Sequence, residues 1–428
     1  MTKEFSVDFA LRPSKLGVVS GVEGAPIDTL HDGWDFSAEL SRMNTPLVRL
    51  SPSRRRPYLR LCSIFPSVSL DPTLPESYDF SLADGYILSA AGSGAKLLLS
   101  LGECDKRYLD EPEKWAEACI GIIAHYNEGF ADGYKLGIKY CELFAHEGGA
   151  LKEGVTPEAH AELYRTVARA LKERFPRLKL GGYSAGGFRA LNHIDASEDE
   201  RRQLEYLDAY LSALRAPERA PLDFLSWCCH ADEPEEITVH ANYARSYLAQ
   251  HGYKRTESII TSLSLGAAAL ERRYPAYLAS ALVIAESSSA DTVISASILP
   301  YSADNALFTL DDCSEHHPYA AYEVMTSFGE LYRLGRRASS SQDFRREVYL
   351  LAAADKAGAG LLLVSRDFSG TVRVELKNAP SDKCKIKGII GGGKRGAGYL
   401  TEREGIPLGQ GALTLKVGKN EVYFITLL

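Results

Sequence analysis

Residues 139–184 read KYCELFAHEGGALKEGVTPEAHAELYRTVARALKERFPRLKLGGYS. The stretch begins with a short, mostly apolar run, Lys139–Ala145, that carries one carboxylate, Glu142. A Gly-rich loop with His146 and Glu147 follows. Thr156 then offers an N-cap, Pro157 suits the first helical position, and Leu163, Val167, Leu171 and Phe175 form one apolar stripe. Pro176 stops that helix, and a second apolar run, Leu178–Ser184, starts at once. Strand, helix and strand in this order, with strands that hardly alternate, are the pattern of a parallel sheet buried on both faces.

The same alternation extends in both directions. Strands are expected at 16–20, 46–51, 96–103, 139–145, 178–184, 223–230, 258–264 and 291–298, with amphipathic helices between them. Pro275 is expected either in the first turn of the helix that contains it or at a bend. Eight strand–helix repeats favour a (β/α)8 TIM barrel over an open doubly wound sheet, and no GxGxxG follows the first strand. After residue 337 the pattern changes to short strands separated by turn residues, which predicts a C-terminal antiparallel β-sandwich. The expected domains are a barrel over 14–337 and a sandwich over 343–428, the latter joined by an alternating N-terminal strand over 4–12. The Gly-rich stretch 388–399 lacks the Ser/Thr and the helix of a phosphate loop and reads as a hairpin loop.

The bulk composition excludes several function classes. The chain has 428 residues and a net charge of −7, which argues against nucleic acid and anionic membrane as partners. The Arg run at 53–57 reads as a solvated loop. No signal-type apolar segment and no run of eighteen apolar residues is present, so neither export nor a membrane span is expected. Eight cysteines without framework spacing read as reduced thiols, and the cytoplasm is the expected compartment.

In a parallel barrel the reactive side chains come from the C-terminal ends of the strands. Glu103, Glu142, His146, Glu147, Tyr183, Cys228 to His230 and Ser262 to Ser264 fall there. The segments "IFPSVSLDPTLPESYDFSLADGYI", "SLGE", "HYNEGFADGYKLGIKYCELFAHEGG", "LKERFPRLKLGGYSAGGF", "DFLSWCCHADEPEE" and "SFGELYRLGRR" resemble, in order, those of family thirty-nine glycoside hydrolases. That group comprises the β-xylosidases and α-L-iduronidases of clan A. The resemblance implies a barrel glycosidase with an appended sandwich, and a retaining reaction run by two carboxylates at the ends of strands 4 and 7.

The catalytic positions depart from that pattern. Family members carry E-I-W-N-E-P on strand 4. Here Glu142 takes the first Glu, Phe144 the Trp and Ala145 the Asn, while His146 takes the acid/base position and Glu147 lies one residue beyond. On strand 7, Ser262 stands at the nucleophile position, and a Ser hydroxyl carries no charge for an oxocarbenium-like centre. Arg49, Glu103, Glu142, Tyr183, Trp227 and His230 are the candidate sugar contacts, with Glu142 expected to pair with Arg49 or another core polar group. Asn127-Glu128 lies at a helix end and is not the catalytic pair, and Glu286 reads as a solvated helix terminus. Cys104, Cys141, Cys228, Cys229, His146 and His230 gather near strand ends without CxxC or HxxxH spacing, so no metal and no cofactor is expected.

The expected function is therefore a carbohydrate-binding or regulatory pseudoenzyme on a β-xylosidase-type barrel, with a possible sugar or glycan at the barrel mouth. The alternative is an atypical glycoside hydrolase that uses the relocated carboxylate Glu147.

Overall fold

The computed structural model describes residues 1–11, 14–27, 34–145, 154–266, 272–298, 305–310, 316–356, 358–391 and 399–428. Eight parallel strands close into a barrel: β1 (Val19–Glu23), β2 (Leu47–Leu50), β3 (Lys96–Ser100), β4 (Tyr140–Glu142), β5 (Lys179–Ala185), β6 (Phe224–His230), β7 (Glu257–Ser264) and β8 (Thr292–Ser297). A main helix follows each among the described residues: α1 (Ser37–Met43), α2 (Ser81–Ala91, preceded by the single turn Leu61–Ile64), α3 (Pro112–Asn127), α4 (Pro157–Arg174), α5 (Glu198–Arg215), α6 (Glu236–Gln250), α7 (Tyr274–Ala285) and α8 (Ala320–Leu334). Strand order around the barrel is sequential, and β8 closes on both β1 and β7. This is a (β/α)8 TIM barrel.

The local signals act as their chemistry requires. Thr156 Oγ1 accepts the Ala159 N–H at the head of α4, and Pro157 occupies its first turn. Ser197 and Glu200 form a reciprocal capping box on α5. Pro275 sits in the first turn of α7 and does not bend it. Strand β1 begins three residues later than its apolar run and takes Gly21 into the barrel wall. A Cβ there would stand 2.5 Å from Ile294 Cδ1 and 3.0 Å from the Leu47 carbonyl oxygen.

The C-terminal part is a β-sandwich. One sheet has seven strands, among them β9 (Val348–Ala354), β10 (Ala359–Ser365), β11 (Lys383–Ile390), β12 (Tyr399–Pro407) and β13 (Glu421–Leu427). The other sheet has four, with Thr2–Asp8 parallel to Gly370–Lys377 and the rest antiparallel. Strand β12 was not expected from sequence. Its charged run TEREG lies at the edge of the sheet, where alternation with a core is weak. It pairs antiparallel with β11 across the Gly-rich segment, of which 392–398 lie outside the described residues.

The seven-stranded sheet is buried on both faces. Leu351, Leu362, Val364, Val422 and Phe424 pack into the barrel's core, while Leu350, Leu361, Leu363, Ile425 and Leu427 pack into the sandwich's own. A buried ion pair, Lys387 Nζ to Glu323 Oε2 at 3.1 Å, joins that sheet to α8. Arg54 and Arg55 are exposed, but Arg56 is buried with its guanidinium 5.5 Å from the Tyr86 ring centroid. The reading of a solvated loop therefore fails at that one Arg.

Candidate functional site

The barrel interior is layered, and the period of two along each strand assigns the layers. The lowest layer is apolar: Leu47, Leu98, Phe224, Ile259 and Ile294 cluster there, with Val19 and Tyr140 packed against them. Two residues further along six of these strands stand Gly21, Arg49, Ser100, Glu142, Ser226 and Thr261. A layer normally filled by branched apolar side chains is here largely polar.

Contacts between non-neighbouring strands show that these side chains meet inside the barrel. Arg49 on β2 donates from Nη2 to Glu142 Oε2 on β4 at 2.6 Å, passing over β3. Ser184 Oγ on β5 lies 3.1 Å from Thr261 Oγ1 on β7, passing over β6. Ser226 Oγ on β6 accepts the Ser184 N–H at 2.8 Å. The β5–β7 wall is thus lined by hydroxyls, and the β1–β4 wall by charge.

The charged wall includes a residue the sequence reading missed. Glu23, at the end of β1, accepts from Arg49 Nη1 at 3.0 Å and from Ser51 Oγ at 2.6 Å, with the Ser51 N–H at 3.3 Å. Arg49 is therefore held between two carboxylates, and it is 4% exposed. Placing the first strand at 16–20 left Glu23 in a loop. Its position four residues after Val19 was the available signal. Glu142 is fully buried, and its Oε1 has no hydrogen-bond partner among the described residues. A buried carboxylate oxygen left without a donor is costly, and it is a natural acceptor for an entering hydroxyl or water.

The other candidates separate into two groups. Glu103 is half-exposed at the mouth, bridged to Ala145, with Arg60 Nη2 at 3.9 Å. Ser262 is half-buried and pairs in register with Cys228. His230 is exposed at the tip of β6. Tyr183 and Trp227, in contrast, do not reach the mouth. The Tyr183 ring packs outside the barrel against His160, Tyr206 and Tyr210, at centroid distances of 5.3, 5.8 and 4.6 Å. Burial there drives its phenol pKa well above the usual value. Trp227 packs edge-on to Phe188 and donates its indole N–H to Ser258 Oγ at 2.9 Å. These two expected sugar contacts are corrected to core residues. Strands buried on both faces carry aromatics on either side, and composition alone does not say which. His146 and Glu147 lie outside the described residues.

Cys62, Cys119, Cys141, Cys229 and Cys384 are free thiols, and Cys313 lies outside the described residues. Burial pushes the Cys119, Cys141 and Cys229 thiols up, away from thiolate chemistry. Asn127 clasps the chain instead of facing the barrel, accepting the Ile138 N–H at 2.7 Å and donating to its carbonyl at 3.0 Å. Glu286 is not a solvated terminus. Its carboxylate accepts the Gly17 and Val18 N–H groups at 2.9 and 3.2 Å, and burial raises its pKa to about 6.

No protein-family model and no curated protein matches the chain. Solved structures do. A glucosidase from Croceicoccus marinus shares 19% identity at a TM-score of 0.77, over 100% of this chain and 98% of that one. The likeness is one of fold. The α-L-arabinofuranosidase of Thermotoga maritima, solved as an arabinose complex, matches at a TM-score of 0.70 and 11% identity, over 99% of both chains. A GH39 β-xylosidase from Caulobacter crescentus matches at 0.67 and 13%, again over 99% of both. Barrel and sandwich therefore occur together in these enzymes as they do here. Among the described residues no helix is long and apolar enough to cross a membrane.

Proposed function

We propose that the chain is a carbohydrate-binding or regulatory protein on a β-xylosidase-type barrel, without glycosidase turnover. One observation carries the reading. The interior carboxylates Glu23 and Glu142 both engage Arg49, whereas the β5–β7 wall opposite presents Ser184, Ser226 and Thr261. A retaining reaction needs two carboxyl groups about 5 Å apart on either side of the anomeric carbon. Ser262 at the nucleophile position supplies a hydroxyl instead. Guanidinium, hydroxyls and the open Oε1 of Glu142 remain suited to hydrogen-bond sugar hydroxyls. Cysteines without framework spacing fit a reducing compartment, and on that basis we assign the protein to the cytoplasm.

The test is a pair of assays on the full chain. Titration calorimetry with xylose, arabinose and glucose is expected to show binding of at least one, weakened about tenfold or more by Glu142→Gln. Hydrolysis of nitrophenyl β-xylosides, α-arabinofuranosides and β-glucosides is expected to stay at the buffer rate. No binding by any of the three sugars would overturn the sugar-binding reading.

Turnover abolished by Glu147→Gln would establish the second reading, an atypical glycoside hydrolase with a relocated acid. What favours that alternative is Glu103, which has a half-exposed carboxylate and whose backbone forms a parallel β-bridge with Ala145, two residues before Glu147. An inverting pair can be about 6.5–9.5 Å apart.

A further inference from the structure

Outside the barrel interior, a second cluster of ligand-type side chains lies on the mouth side, behind β6. His193 comes from the loop between β5 and α5, and Glu236 and His240 from the first turns of α6. One ligand atom from each lies within 4.8 Å of the other two. The spacing Glu236-Ile-Thr-Val-His240 places the carboxylate and imidazole one turn apart on the same helix face. Two imidazoles and a carboxylate are a ligand set well matched to zinc-class divalent cations, with bonds of about 2.0–2.2 Å. The present separations need only a small contraction around an ion, within the reach of ordinary rotamer adjustment.

The surroundings carry the outer partners that metal-binding histidines use. His193 Nε2 meets Glu236 Oε2 at 2.9 Å, while its Nδ1 faces the carboxylates of Asp195 and Asp232 at 3.7 and 3.9 Å. His240 Nδ1 lies 3.7 Å from Cys229 Sγ and its Nε2 3.0 Å from Asn192 Oδ1, the residue just before His193, so one of these two contacts gives way to the ion and the other stays as the outer partner. His193 and Glu236 are partly exposed, at 19% and 18% of their side-chain surface, which leaves an entry path. Three protein ligands leave one position of a tetrahedral ion for water.

We propose that His193, Glu236 and His240 form a binding site for a zinc-class divalent cation that ties the β5–α5 loop to α6 beside the barrel mouth. This site is separate from the Glu23–Arg49–Glu142 group and does not depend on the sugar-binding reading.

The test uses the full chain, stripped with chelator and dialysed, then titrated with zinc sulfate at pH 7.5 and, separately, with cobalt(II). One zinc per chain is expected at micromolar affinity or better, together with visible cobalt d–d absorption. His193→Gln changes a partly exposed loop side chain and is expected to keep the fold, as circular dichroism would verify, while weakening zinc by roughly 100-fold. Glu236→Gln is expected to weaken it by at least about tenfold. Binding left unchanged in folded His193→Gln would place the metal elsewhere and overturn the proposal. Absence of any zinc binding below millimolar concentration in the wild-type chain would do the same.

Discussion

Arg49 concentrates the energetics of the barrel interior in a single side chain. It is almost fully buried, and its two terminal nitrogens are each committed to a different carboxylate. Removing it would strand the charge of Glu142 and leave Glu23 tied only to Ser51, a situation that typically costs about 3–5 kcal/mol. Urea unfolding of Arg49→Ala is expected to show a loss of that size. A loss below about 1 kcal/mol would mean that water or a proton already compensates the carboxylates. At the opposite end of the barrel, Glu286 is a carboxylate whose folded pKa is raised above its unfolded value. Between the unfolded value near 4.5 and the folded value near 6, the native state holds the extra proton, so this group loses stability as pH rises through that window. Relative to Glu286→Gln, the wild type should therefore gain up to about 2 kcal/mol between pH 7 and pH 4.5. His240 acts in the opposite direction, since its lowered pKa makes acidification destabilising. Only paired denaturation curves of each variant against wild type separate the two.

Among the elements, strands and helices were legible to different depths. The helix that follows β4 could be placed to the residue, because Thr156 and Pro157 mark its start by chemistry that does not depend on the rest of the fold. Thr156→Ala is expected to cost about 1 kcal/mol, read as a shift of the urea midpoint with an unchanged slope. Strand β1 was placed three residues early, since its apolar run extends beyond the paired segment and Gly21 resembles a terminator. In the structure that glycine lets Ile294 and the Leu47 carbonyl approach the strand. Gly21→Ala should cost about 1–3 kcal/mol by overpacking, measurable in the same assay. A neutral result would show that Ile294 can rotate away.

For the whole molecule, the seven-stranded sheet is the decisive object, because one face completes the barrel's core and the other the sandwich's. Arg366 strengthens that junction by reaching Glu235 at the start of α6 at 2.7 Å. Neither part can expose the shared sheet without losing apolar burial on both sides. Calorimetry of the intact chain is expected to give one cooperative transition, and two resolved transitions would refute this coupling. The N-terminal strand adds a long-range constraint, since Thr2–Asp8 runs between Ser339–Ser340 and Gly370–Lys377.

By itself the sequence determined the succession of eight strands and helices and the change to a sandwich. Those follow from apolar period, caps and turn residues, which are local. It also supplied, through the family resemblance, the expectation that residues 146 and 262 depart from the glycosidase pattern. Only the tertiary structure decided which side of each strand faces the interior. That choice makes Arg49 and Glu142 partners across β3, turns Tyr183 and Trp227 outward, and brings His193 to Glu236 and His240. The physical reason lies in barrel closure. Strands buried on both faces lose the alternation that would mark inside from outside, and closing the sheet joins residues that no sequence spacing relates.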